Sequence, residues 1–148
     1  MNRPDTTFIA SASTSASPAA ALDRFAPVVL SILRIMTGLL FLQHGMSKLF
    51  GYPQPGHMPA FLTLLWFAGI IEFGGSILVA LGLFTRAAAF IMSGEMAFAY
   101  FMSHAPRSPF PILNGGESAI FFCFVFLYLV FAGAGPLSLD AWLWRRKE

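Results

Sequence analysis

The sequence predicts an all-α fold: an integral membrane bundle of four helices running up and down. Three observations carry this. Hydrophobic residues make up 57 % of the 148 and charged residues only 11 %, whereas about a quarter of a soluble domain is charged. Mean hydropathy is +0.70. The apolar residues fall into four blocks, each near the ~20 residues that a bilayer core requires. The breaks between blocks, GYPQPGHMP, GLFTR and APRSPFPILNG, are rich in the residues that end helices.

Residues 1–22 read MNRPDTTFIASASTSASPAAAL. They lack the apolar core of a secretory signal and are expected to form a disordered tail. Asp23 is placed to cap a first turn ahead of Pro27. The first span runs from about Ala26 to Phe50 and the second from about Ala60 to Leu83. A tight link joins the second to the third, with Gly82 as C-cap and Thr85 as N-cap. The third span covers Ala87 to His104, and the fourth covers Gly116 to Ala134, where GAGP stops it. The transmembrane domain is thus residues 23–141. Residues 142–148 form a basic tail, in which Trp142 and Trp144 precede Arg145, Arg146 and Lys147 as at a membrane interface. Short links make consecutive helices antiparallel neighbours.

Orientation follows from the basic residues. With the N-terminus in the cytoplasm, Arg3, Arg24, Arg86, Arg145, Arg146 and Lys147 lie inside, and Lys48 and Arg107 outside. That bias predicts cytoplasmic termini.

Several functions are excluded or disfavoured. A formal net charge of +2 is too small to suggest a nucleic-acid partner. Cys123 is the single cysteine, so neither an internal disulfide nor a CxxC relay is available. Within FFCFVFLYLV it reads as a small apolar packing residue. His44, His57 and His104 show no metal-ligand spacing, so no metal site is expected. Phosphate loops, dinucleotide fingerprints, nucleophile elbows and HExxH are absent from the sequence.

Chemistry is concentrated in the buried charges. Arg34, Gly38, Phe41, Gly45 and Lys48 alternate at spacings of four and three, which places them on one helix face. Ionisable groups in a membrane turn toward protein or water. Glu72, Glu95 and Glu117 sit on three other segments and offer partners. Estimated depths group Arg34, Glu72 and Glu95 into an inner layer. Two carboxyl groups there share one guanidinium, so one is a candidate proton donor or acceptor; a purely structural clasp is the competing reading. His44, Lys48 and Glu117, with Gln43 and Asn114, group near the outer end as candidate ligand-binding residues. Glu117 has a local alternative, a capping box with Asn114. On the second span Ala68, Glu72, Ser76 and Ala80 recur every four residues, a face that lets helices pack closely in lipid. Phe121, Phe122, Phe124, Phe126, Tyr128 and Phe131 read first as packing or lipid-facing residues and second as flanks of a quinone ring.

Four motifs in order then carry a resemblance. They are Arg34-x-x-x-Gly38-x-x-Phe41-x-x-His44-Gly45-x-x-Lys48-Leu49-Phe50; Glu72-x-Gly74-Gly75 followed by Leu81-Gly82-Leu83-Phe84-Thr85-Arg86; Asn114-Gly115-Gly116-Glu117; and Gly133-Ala134-Gly135-Pro136-Leu137-Ser138-Leu139-Asp140. Over about residues 25–141 the chain resembles the DoxX family. The resemblance implies a small four-helix protein of the bacterial inner membrane. It also implies kinship with the DoxD and DoxA subunits of thiosulfate:quinone oxidoreductase. No catalytic residue carries over from it.

The expected function is therefore that of a redox-associated, quinone-linked subunit in the lipid bilayer. Its electrons would come from a soluble redox partner, and a quinone is the expected cofactor. The alternatives are a non-catalytic scaffold that recruits soluble enzymes through the basic tail, and a small-molecule or proton carrier, for which a homo-oligomer is expected.

Overall fold

The computed structural model describes residues 18–55 and 58–145. Among them are α1 (Pro18–Asp23), α2 (Ala26–Phe50), α3 (Leu64–Leu81), α4 (Thr85–Ala99), α5 (Pro111–Asn114), α6 (Glu117–Ala132) and α7 (Leu139–Arg145), and no strand. The four longest helices correspond to the four apolar blocks. α4 passes directly into a wider π-helical turn, Tyr100–His104, closed by the Ala105 N–H on the Tyr100 carbonyl. The third long segment therefore reaches His104. Among the described residues, α2 and α3 alone are long and apolar enough, as single helices, to cross a membrane.

Glycines set how the first two spans pair. A side chain at Gly38 would stand 2.8 Å from the Ala80 backbone nitrogen, and one at Gly45 would strike the Phe73 backbone. Gly69 in turn lies against Lys48 and Leu49. The two helices are therefore antiparallel and in close backbone approach, as small residues permit in lipid. This register leaves the first turns of α2 projecting past the end of α3, level with the segment after α6. α4 and α6 are also antiparallel. Ser93 Oγ donates to the Cys123 carbonyl at 2.9 Å, and Tyr100 packs on Gly116.

The interior holds a small apolar cluster of Phe41, Val79, Ala88, Ala89, Met92, Met96, Ala119, Phe126 and Leu129. Beside it are buried Ser31, Arg34, Thr37, Glu72, Ser76, Thr85, Ser93 and Asn114. The exterior is the reverse: Phe90, Phe121, Phe124 and Phe131 are each more than 60 % exposed. Water would drive those rings inward, whereas lipid does not. The interior instead gathers the groups that lipid cannot solvate.

Several local expectations are corrected. α3 starts at Leu64 rather than Ala60, with Thr63 Oγ1 accepting from the Trp66 N–H. The last residues of the expected disordered tail form α1, while residues 1–17 lie outside the described ones. Asp23 ends α1 and caps nothing; α2 begins after Phe25 with no side-chain cap and Pro27 in its first turn. Gly82 does close α3, at φ 69°. The N-cap of α4 is Phe84, not Thr85. His57, Arg146 and Lys147 lie outside the described residues.

Candidate functional site

The expected inner layer does not form. Arg34 is fully buried, yet neither Glu72 nor Glu95 is its partner. Its guanidinium donates to four backbone carbonyls: Val79, Ala80 at 2.6 Å, Ala134 at 2.8 Å and Leu137. Two of these belong to the last turn of α3, where the Val79 carbonyl also takes the Gly82 N–H at 3.1 Å and the helix dipole favours a cation. The other two belong to the GAGPLS segment after α6. A guanidinium presents five donors in a planar fork, and this fork ties the end of α3 to that segment. The physical reason for the correction is register. Arg34 stands level with Gly82, and Glu72 lies ten residues back along α3, about 15 Å away at 1.5 Å per residue.

Two further charges close the same end of the bundle. The Asp140 carboxylate accepts from the N–H groups of Phe84 at 2.9 Å and Thr85 at 3.0 Å. It caps α4 from a position far along the chain, and it holds Phe84 in a left-handed conformation at φ 49° that costs a side-chain-bearing residue about 1–2 kcal/mol. Arg86 donates to the carbonyls of Val130 and Phe131 in the last turn of α6. Each of these charges has the sign the adjoining helix end favours.

The other end of the bundle differs. Lys48, near the end of α2, forms a salt bridge with Glu72, the one ion pair among the described residues. Glu72 is only 2 % exposed. Its Oε1 takes the Lys48 ammonium, while its Oε2 is buried with no protein partner. Both oxygens of Glu95 are also buried and without a partner. A buried carboxyl group lacking hydrogen bonds costs several kcal/mol unless something satisfies it.

Lys48, Glu72 and Glu95 border one cleft of about 320 Å³ between α3 and α4. Apart from Ser103, its remaining walls are apolar and include Leu64, Leu65, Phe67, Ile91, Phe98 and Met102. All six are exposed at the protein's surface, so the cleft opens sideways, through the apolar exterior of the bundle. Its hollow depends on Gly94, where an added side chain would meet open space. The chemistry available is one cationic donor and three carboxyl oxygens at the foot of an apolar slot.

The remaining expected site residues are scattered. His44 is exposed and packs its ring against Phe41, with 5.3 Å between centroids. Glu117 is exposed and pairs with neither Lys48 nor His44. It forms no capping box either, because the Asn114 N–H bonds to the Phe110 carbonyl and Asn114 Oδ1 accepts from the Gly116 N–H. Gln43 is exposed. Asn114 is buried, and its carbonyl accepts from His104 Nδ1 at 3.0 Å. On α6, Phe126 is buried, whereas Phe121, Phe124, Tyr128 and Phe131 face outward, away from the cleft. Gly94 and His104 were not predicted as site residues. The one available signal was Gly94 adjoining Glu95, since a helix-interior glycine is unfavourable unless its missing side chain is used.

Comparison with known proteins adds two findings. The family model described as DoxX matches residues 29–105, which include Arg34, Lys48, Glu72 and Glu95. An uncharacterised protein of Haemophilus influenzae is 46 % identical over 125 residues, covering 80 % of this chain and 93 % of that one. No solved structure matches.

Proposed function

The chain belongs to the DoxX family, and from that premise we propose that it is a quinone-linked subunit of the bacterial inner membrane. It crosses the bilayer four times, with both termini in the cytoplasm. The cleft between α3 and α4 receives a quinone or quinol head group from the lipid. A soluble redox partner exchanges the electrons, because no nucleotide-binding motif occurs in the sequence.

The observation that carries the reading is the pairing of an apolar, laterally open cleft with three buried, unpartnered carboxyl oxygens beside the Lys48 ammonium. A quinone carbonyl needs a donor, which Lys48 supplies. A quinol hydroxyl needs an acceptor, which Glu72 Oε2 and Glu95 supply. The cleft volume, about 320 Å³, falls within the range of small-molecule sites. Lys48 and Glu72 hold each other in place, and Glu95 is left to meet the ligand.

Titration of a short-chain quinone into the protein in lipid nanodiscs tests the proposal. Saturable binding that Lys48→Met weakens is expected. Binding that does not saturate, or that is indifferent to Lys48, contradicts it.

A further inference from the structure

Behind the Lys48–Glu72 pair lies a second, smaller cavity of about 130 Å³. Lys48, Glu72 and Ala99 border both cavities, so the ion pair forms a partition between them. The walls differ in kind. The larger cleft is apolar apart from its foot and Ser103. The smaller cavity adds His44, His104 and Ser118 to Lys48 and Glu72, over a floor of Phe41, Met96, Ala119 and Phe122. Its mouth is at the surface, since His44 and Ser118 are exposed. It also lies where α6 begins and the third long segment ends, near the outer end of the bundle.

Whether water occupies such a cavity depends on size and polar partners. A water molecule takes about 30 Å³ in the liquid and settles where two to four polar groups reach it. This cavity has room for several and offers five polar side chains. Glu72 Oε2 is buried and has no partner in the protein, and a water donating to it removes the cost of that isolation.

We propose that this cavity is a hydrated vestibule linking the Lys48–Glu72 partition to the aqueous phase at the outer end of the bundle. The inference deepens the quinone-site reading and rests on it for its purpose. A head group held in lipid needs a route by which its protons reach water, and the vestibule approaches the site from the side opposite the lipid opening. His44 and His104 line that route.

Radiolytic hydroxyl-radical labelling of the protein in nanodiscs tests this, because labelling marks side chains next to ordered water. Met96 and Met92, four residues apart on α4, are both buried, but Met96 lines the vestibule among its five polar side chains, whereas Met92 borders a separate cavity with apolar neighbours, Ile71, Leu78 and Ile91. The expected result is Met96 oxidised several times faster than Met92, with Ser118→Phe abolishing the difference by filling the mouth. Equal rates in the unaltered protein overturn the vestibule without recourse to any variant. So does Met96 labelling that Ser118→Phe leaves unchanged. Quinone binding measured on the same samples separates the two proposals. Bound quinone with a dry Met96 sinks the vestibule alone; a wet Met96 with no bound quinone sinks the quinone reading alone.

Discussion

The two ends of the bundle use buried charge in opposite ways. At one end Arg34, Asp140 and Arg86 are all hydrogen-bonded to backbone groups at helix termini or to the segment after α6. At the other end Lys48 and Glu72 pair, while Glu72 Oε2 and both Glu95 oxygens are buried with nothing to bond. The difference shows how to read an ionisable residue in a membrane. Such a residue is costly wherever it sits, but where its hydrogen-bonding capacity is filled by the chain itself, its work is structural. Where that capacity is left open beside a cavity, it is available to a ligand or to water.

This contrast is breakable by substitution. Arg34→Leu is expected to have the largest effect, about 3–5 kcal/mol, because it leaves carbonyls of α3 and the GAGPLS segment unpaired in the interior. A lowered melting temperature and reduced folded yield in detergent check it. Arg34→Lys is expected to rescue little, since one ammonium cannot reproduce a planar fork. Gly45→Ala comes next, at about 1–3 kcal/mol, because the added methyl meets the Phe73 backbone and forces α2 and α3 apart. Asp140→Ala is expected to cost about 1–2 kcal/mol through loss of the α4 cap, read in the same melting assay. Smallest in stability is Gly94→Leu, within about 1 kcal/mol of the unaltered protein because leucine is the better helix former and its side chain enters open space. Its effect is on binding, since it fills the slot and is expected to abolish quinone retention. If Gly94→Leu unfolds the protein while Arg34→Leu leaves it intact, the assignment of the two ends is reversed.

Much of the fold was legible in the sequence, and the pairing of charges was not. Four apolar blocks, Gly82 as a C-cap and the shared face of Arg34, Gly38, Phe41, Gly45 and Lys48 follow from local pattern, and the structure buries that face except at Lys48, which stays partly exposed. Register is a tertiary property. Starting α3 at Leu64 rather than Ala60 and laying Gly45 on Phe73 moves Glu72 to Lys48 and away from Arg34. The glycines that set this register were visible, but the residues they approach were not. Carboxylate partners suggest themselves for Arg34 because acidic side chains are recognisable in a sequence. Its real partners are carbonyls, which every residue carries and no motif announces. Asp140 was missed as a cap for the same reason, since its helix lies some fifty-five residues back.

The most direct test of the division between the two ends is the quinone content of Glu95→Gln protein extracted with its native lipids, measured by mass spectrometry against the unaltered protein. Exchanging one carboxyl oxygen for an amide nitrogen, which cannot accept from a quinol hydroxyl, is expected to lower retained quinone severalfold, with the melting temperature unchanged. Equal quinone content in the two proteins, or a Glu95→Gln protein that fails to fold, would contradict the account.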